Sequence, residues 1–339
     1  MATIGNSFPS LIDHFRSVDA SGNYIPVIEA LTVLNPVMQD AYVFEANQGF
    51  KNTSVIRTGL PTPTWGKLYQ GIPQSKSTKQ QVEDSSGFVE SLSTVDTRLL
   101  NYKKNPAQAR ADEAAAHIEG MSQDVQTNFF YSDTASTPER FKGMAARYDT
   151  LANTQVVNGG GSGSDNTSIW MVTWGRGKTG LFYPENSKAG IIREDKGEQR
   201  TTDASGNPYY VKEEYFRQDI GVMVGDWRYN TRIANIDVSD LLAGSVDIYA
   251  LLRRALYKME GRVASAKGAQ SKMPNPFLGG GKTVIYANST VMEALDKQTT
   301  NDTKLELRPD DLEGKEVLKY RGFAIRETDA ILNTEAALT

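Results

Sequence analysis

The chain of 339 residues contains no cysteine, which excludes disulfide stapling and thiolate metal sites together. Histidine is almost missing as well: only His14 and His117 are present, far apart. No apolar run approaches the roughly 18 residues that a membrane-spanning helix needs. Residues 1–15 have neither the basic start nor the apolar stretch of a signal peptide, so the expectation is a soluble protein made in a cytoplasm, with no membrane partner. Nor is there an excess of positive charge. Lys and Arg number 37 against 41 Asp and Glu, and a net charge of −4 argues against a dedicated nucleic-acid binder.

One further absence is local. Residues 46–82 hold Lys51, Arg57, Lys67, Lys76 and Lys79 without a single acidic side chain. Without these five charges the rest of the chain stands at −9. The same stretch contains Pro61, Pro63 and Pro73 and is otherwise rich in Thr, Ser, Gln and Gly. Fixing each backbone residue costs about 1–2 kcal/mol, and so polar a segment cannot recover that from its own burial. Yet Val55, Ile56, Leu60, Trp65, Leu68, Tyr69 and Ile72 are scattered through it. The pattern predicts an extended two-stranded arm that leaves its own globule and lies on another copy. Lys51, Arg57, Trp65, Lys67, Tyr69, Lys76 and Lys79 are its candidate inter-subunit contacts, with Gly59, Gly66 and Gly71 as its points of flexure.

What is present elsewhere reads as α+β. Residues 10–17 and 26–34 predict short helices in an N-terminal arm, and residues 88–95 a returning strand. Asn105 and Pro106 then form a helix start, Asn as cap and Pro in the first turn. Ala111, Ala114, Ile118, Met121, Val125 and Phe129 follow at spacings of three and four, the stripe of a long helix covered on one side only. Residues 159–166 read as a flexible Gly/Ser connection, followed by strands at 168–173, 180–183, 209–217, 220–224 and 227–236. In the last of these, Trp227, Tyr229, Thr231 and Ile233 alternate with Arg228, Asn230 and Arg232, the period of a half-buried strand. Residues 203–208 fit a hairpin tip. A second amphipathic helix covers 246–266, with Ile248, Leu251, Leu252, Ala255, Leu256, Met259 and Val263 on one face. A strand at 283–287, a helix capped by Asn288 or Ser289 and a strand at 323–326 complete a compact final third.

Chemistry-bearing motifs do not survive inspection. Gly279-Gly280-Gly281-Lys282-Thr283 and Gly175-Arg176-Gly177-Lys178-Thr179 end like a phosphate-binding loop, but the earlier glycine is replaced by Pro276 and Val172. Neither is followed by a predicted helix whose dipole could face a phosphate. Neither histidine adjoins a nucleophile-elbow pattern. Glu194-Asp195, Glu213-Glu214 and Asp310-Asp311 read as solvated faces or loop tips, not metal sites. The expectation is no enzyme, no cofactor and no metal. Arg254, Lys258 and Arg262 recur every four residues on the second helix, beside Arg253 and Lys267. This row is either a solvated flank or a contact for an acidic neighbour or packaged nucleic acid.

The order of elements resembles the Hong Kong 97-type shell fold, and the local sequences resemble major capsid proteins of tailed bacteriophages, in a subgroup that includes short-tailed phages. The likeness is carried by Val55-Ile56-Arg57-Thr58-Gly59-Leu60-Pro61-Thr62-Pro63-Thr64-Trp65, by Gln70-Gly71 with Lys76-Ser77-Thr78, and by Ser187-Lys188-Ala189-Gly190. Gly225-Asp226-Trp227-Arg228-Tyr229 and Arg232-Ile233-Ala234-Asn235-Ile236-Asp237 complete it. It implies an N-terminal arm (1–45), an extended loop (46–85), a peripheral domain (86–236) with a spine helix (105–132), an axial domain (237–321) and a return to the peripheral domain (322–339). It further implies self-assembly into hexamers and pentamers of an icosahedral head enclosing double-stranded DNA. The expected partners are copies of the chain, a separate scaffolding protein, a portal, a decoration or cementing protein, and DNA held without sequence preference. The isopeptide cross-link of some relatives is not carried over, because no motif here singles out a lysine–asparagine pair. The alternatives are a non-viral, encapsulin-like shell of the same fold and, more remotely, a P-loop NTPase.

Overall fold

The computed structural model describes residues 36–101, 105–259, 281–301, 307–312 and 315–339. The expected helices at 10–17 and 26–34, His14, Val263, Arg262, Lys267 and the glycines at 279 and 280 lie outside these residues. The chain divides into two compact units, one of Met1–Val33, Phe88–Val125 and Lys188–Asp219, the other of Leu34–Gly87, Gln126–Ser187 and Ile220–Thr339.

The smaller unit contains the second half of the strand Thr78–Asp96, a short helix Thr97–Asn101, most of the spine helix Pro106–Tyr131 and a long hairpin. The spine begins where its sequence signal stands: the Gln108 amide donates to Asn105 Oδ1 at 3.3 Å. Its buried stripe differs from expectation. Ala114 and Met121 pack with Phe216, Val89 and Ile191, whereas Ala111 and Ile118 face outward. The apolar repeat alone overcounted the stripe, because the covering surface is narrow. His117 stacks on Phe216 with ring centroids 5.7 Å apart, and its Nδ1 lies 2.6 Å from Ser91 Oγ.

The hairpin pairs Ile191–Thr202 antiparallel with Pro208–Gln218. Its tip stands where residues 203–208 were expected to form one, but the sequence set no bounds for its first strand. Arg193, Glu194, Asp195 and Lys196 show no apolar alternation, and the ladder is held by cross-strand partners instead. Arg110 pairs with Asp195 at 3.0 Å and with Glu214, and Arg193 pairs with Glu214 at 2.7 Å. The pairs Glu194-Asp195 and Glu213-Glu214 are therefore more than solvated faces: Glu214 is buried and serves two arginines. The tip is closed by Asp203, whose Oδ1 accepts the amides of Ser205 and Asn207 at 2.9 and 2.8 Å.

The larger unit is built on a mixed sheet with the strand Asn166–Trp174 at its heart, every residue buried. Lys282–Ala287 and Thr231–Asp237 pair antiparallel with it, Phe323–Glu327 runs parallel beside Lys282–Ala287, and the hairpin Leu307–Leu312 with Lys315–Tyr320 extends that side. That hairpin was unforeseen, and it places the backbone of Asp310-Asp311 in a strand. On the other side Thr179–Tyr183 pairs with Val43–Glu45 and with residues 221–224. Helices Val238–Ala243, Ile248–Lys258 and Ser289–Asn301 bury Leu241, Ile248, Leu251, Leu252, Ala255, Leu256, Val291, Ala294 and Leu295 in one core with Met171, Ile233 and Ile285. Asp237, Asp247 and Asn288 cap them, each side-chain oxygen accepting an amide three residues on at 2.9–3.0 Å.

Two expectations change here. Residues 227–236 are not one strand: Asp226 caps a 3₁₀ turn at Trp227–Tyr229, and Thr231–Ile236 is buried throughout, so the alternation did not report burial. The Gly/Ser segment is not a loose connection either. The Gly159 and Gly161 amides donate to Ala234 and Asn235 carbonyls at 2.8 and 2.7 Å, and a Cβ on Gly159 would stand 2.6 Å from the Asn235 oxygen. The glycines are there for close approach of two backbones.

Towards its end the spine buries more than one stripe: Val125, Gln126, Asn128, Phe129 and Phe130 are all buried, while Thr127 stays exposed. Phe129 stacks on Trp174 at 5.4 Å, and Phe130 meets Trp170 and Tyr286. Residues 328–339 then lace this region shut. Glu335 accepts from Arg232 at 2.9 Å, from Tyr131 at 2.5 Å and from Ser168. Burial and the neighbouring Glu335 carboxylate push the Tyr131 phenol well above its ordinary range.

Candidate assembly interface

The acid-free segment forms a hairpin, as its sequence predicts. Lys51–Gly59 pairs antiparallel with residues 78–85, with a bulge between Arg57 and Gly59. Its root is anchored by polar contacts that sequence reading missed. The Asn47 side chain brackets Thr53, donating to its carbonyl and accepting its amide, both at 2.8 Å. The Gly49 and Glu185 backbones bond at 3.0 Å, the Ser86 amide donates to the Phe50 carbonyl at 3.0 Å, and the Asn186 amide donates to Glu45 Oε1 at 3.0 Å.

The main latch is Arg147. Its Nη2 donates to Asp84 Oδ1 at 2.7 Å and to the Val222 carbonyl at 3.0 Å. Both side chains of this ion pair are nearly excluded from water, 13% and 3% exposed. Three residues on, Gly87 runs so close to the backbone of Glu139 and Arg140 that a Cβ would stand 2.8 Å from the Glu139 oxygen. No local pattern links Asp84 to Arg147. The only hint in the sequence was that the first acids after the long gap are Glu83 and Asp84.

Beyond the latch the hairpin has little of its own to hold. Residues 60–77 contain no strand or helix, and their internal bonds are few: Ser75 Oγ donates to the Thr62 carbonyl at 3.0 Å and the Gln70 amide to Lys67 at 3.3 Å. Tyr69 sits at φ +64°, in the left-handed region. Trp65 is 96% exposed, Leu68 90% and Tyr69 107%, with Leu60 and Ile72 also open to water. A cluster of large apolar side chains held away from any core marks a contact surface.

The charges tell the same story. Lys51 reaches its own Glu83 at 3.6 Å, so it is compensated within the hairpin. Arg57, Lys67, Lys76 and Lys79 are exposed and make no ion pair among the described residues. The register sets Arg57 directly opposite Lys79. Like charges facing each other across a ladder destabilise it, by a few tenths to about 1 kcal/mol, unless an anion covers them.

The Gly175–Thr179 look-alike of a phosphate loop does not form such a site. In the Gly175–Thr179 turn the Lys178 amide donates to the Gly175 carbonyl and the Gly175 amide to Thr179, both at 3.0 Å, and a strand follows. Lys178 is buried over the Tyr229 ring, 4.7 Å from its centroid, and burial lowers its pKa. Lys282 likewise opens a strand and pairs with Asp40. Among the described residues no group of His, Asp and Glu is placed to hold a metal ion, and no helix is long and apolar enough to cross a membrane.

Comparison with known proteins matches residues 19–339 to a family described as major capsid protein GP7. No curated protein matches. Among solved structures, a chain of bacteriophage Epsilon15 is similar over 100% of both chains, with 30% identity and a TM-score of 0.77. Looser likenesses are to the SrpI encapsulin of Synechococcus elongatus (10% identity, 68% of this chain and 96% of that one, TM-score 0.44) and to the capsid of the myovirus XM1 (10%, 62% and 95%, TM-score 0.41).

Proposed function

Since the chain belongs to the major capsid protein GP7 family, we propose that its loop of residues 46–85 works by lying on a neighbouring copy. The protein is the major capsid protein of a tailed-phage head, with the Hong Kong 97-type fold, and a non-enzymatic part of a shell made from many copies of itself. In that shell the finer reading gives each region a task. Residues 1–45 form an arm, 86–236 a peripheral domain with its spine at 105–132, 237–321 an axial domain around the hexamer and pentamer centres, and 322–339 a return to the periphery. A separate scaffolding protein, a portal and a cementing protein complete the set of partners, and the interior holds double-stranded DNA without base preference.

The observation that carries the loop reading is the pairing of an exposed apolar tip with uncompensated cations, on a hairpin fastened only at its root. Trp65 and Tyr69 are the residue types that anchor interfaces when buried by a partner. Arg57, Lys67, Lys76 and Lys79 supply the charge that an acidic neighbour would meet, with Lys51 holding the ribbon itself together. A shell multiplies such modest contacts over many copies.

The absence of cysteine makes the test direct. A Leu68→Cys variant places the chain's single thiol at the tip. It should react quickly with a maleimide in free subunits and become protected in assembled shells. Equal labelling in both states would overturn the reading.

A further inference from the structure

The helix Ile248–Lys258 buries Ile248, Leu251, Leu252, Ala255 and Leu256 and leaves Arg253, Arg254, Tyr257 and Lys258 outside. No acidic residue occurs between its ends. Lys258 is occupied, its Nζ donating to the Val156 carbonyl at 2.9 Å. Arg253 and Arg254 are exposed and take part in no ion pair or hydrogen bond among the described residues. Favourable interaction of cations with the helix C-terminus accounts for Lys258 and in part for Arg254, but it does not reach beyond the helix.

A third guanidinium joins them from elsewhere in the same unit. Arg321 and Gly322 are the two central residues of the tight turn joining Lys315–Tyr320 to Phe323–Glu327, with φ +49° and +87°. Such a turn favours Asn-Gly, and a residue with a long side chain in the left-handed region costs about 1–2 kcal/mol. Arg321 holds that position with its guanidinium 5.9 Å from the Tyr257 ring and 5.8 Å from that of Tyr320, and Nη1 donates to Tyr257 Oη at 3.4 Å. Tyr257 is itself 60% exposed and one helical turn from Arg253 and Arg254. A backbone held against its own preference at an exposed cation points to a function for that cation.

We propose that Arg253, Arg254, Tyr257 and Arg321 form the surface that contacts the phosphodiester backbone of the enclosed DNA. The proposal rests on reading the chain as the subunit of a DNA-filled head. A helix flank is convex and offers no pocket for one fixed carboxylate. It suits a polyanion met in many registers, by guanidinium forks whose geometry matches phosphate oxygens. Tyr257 keeps the Arg321 fork presented instead of collapsed on the surface.

The test uses the purified full-length chain, a fluorescent mixed-sequence DNA duplex and two salt concentrations of about 50 and 200 mM. Each phosphate contact contributes a salt slope of about −0.9, or roughly a 3.5-fold loss of affinity over that range. The Arg253→Ala/Arg254→Ala variant should therefore lose about 12-fold less affinity on raising the salt than wild type does. Arg321→Asn should lose about 3.5-fold less, while its thermal stability is kept or raised, because Asn tolerates the left-handed region. That combination separates DNA contact from damage to the fold. Unchanged salt sensitivity in both variants overturns the proposal. So does a double variant that binds DNA like wild type but no longer assembles, which would assign the patch to an acidic face of a second copy. Failure of the wild-type chain to form shells in the electron microscope would strike the shell reading alone, since DNA binding is measured on unassembled chain.

Discussion

The chain contains two long polar hairpins, and they treat charge in opposite ways. In the hairpin of Ile191–Thr202 and Pro208–Val224, Arg193 reaches diagonally to Glu214, Lys196 pairs with Glu194, Arg110 bridges Asp195 and Glu214, and Asp203 seals the tip. In the hairpin rooted at Asp84, Arg57 faces Lys79, Lys67 and Lys76 have no counterion among the described residues, and the tip exposes Trp65, Leu68 and Tyr69. Similar composition thus hides different purposes. A ribbon that satisfies its charges internally is a finished part of its own fold, whereas one that leaves them open is, on the reading proposed above, to be finished by a neighbour.

Excision is the strongest way to break the comparison. Deleting residues 51–79 with a short Gly/Ser bridge should leave a folded chain that does not assemble, as read by circular dichroism and sedimentation. Replacing residues 203–207 by an Asn-Gly turn should leave assembly intact. Loss of folded signal in the first, or shells from it, would erase the distinction.

Next in size is the root. Arg147→Leu leaves the buried Asp84 carboxylate without its cation and should cost about 3–5 kcal/mol in denaturant unfolding. Arg193 is half-exposed, so Arg193→Leu should cost about 1 kcal/mol or less. Equal costs would mean that the latch is ornamental. A smaller effect is expected at the tip: Trp65→Ala with Tyr69→Ala should raise the subunit concentration needed for assembly by about 30-fold or more, the equivalent of about 2 kcal/mol, without changing unfolding. Tyr210→Ala, an exposed aromatic on the other hairpin, should change neither.

Charge sharpens the contrast further. Reversing Lys76 and Lys79 to Glu should slow assembly more at low salt than at high salt, because exposed charges are screened beyond about 10 Å at 0.1 M salt. Light scattering across a salt series reads this, and an effect equal at every ionic strength would make these lysines merely solubilising. The smallest effect belongs to Asp195. Its carboxyl is held below the usual aspartate range, first by the Gly197 amide and then by Arg110. A lowered folded-state pKa adds stability above the unfolded value near 3.9 and loses it as pH falls through the folded value. Asp195→Asn should therefore be less stable than wild type by a few tenths of a kcal/mol at pH 7, an exposed site being well screened. The two should converge in acid, and a difference that persisted below both values would point to a cause other than ionisation.

Elements announced by their own residues were legible: the Asn105 cap, the apolar face from Ile248 to Leu256, the Asn288 cap and the acid-free hairpin, although the helix expected over 246–266 starts at Ile248 and ends at Lys258, with Met259 already extended. Elements defined by distant partners were not. The strand Ile191–Thr202 exists because Glu213, Glu214 and Tyr215 stand across from it, and nothing within its own residues says so. Trp227–Tyr229 shows the reverse error, since alternation without a neighbouring strand is only a turn capped by Asp226. At the interface the exposed side chains could be named from composition, but Arg147 could not. It is 63 residues from Asp84, and only the folded backbone brings them together.

The placement of the tryptophans gives the protein an optical property of its own. Trp170 and Trp174 are buried in the sheet, Trp227 is partly covered, and Trp65 is bathed in water. Indole emission moves to shorter wavelength when water is removed from the ring. The long-wavelength edge of the free subunit's fluorescence therefore belongs mainly to Trp65, so on the proposed reading of the loop the colour of the emitted light would report, without any added dye, the moment at which one subunit closes over the next.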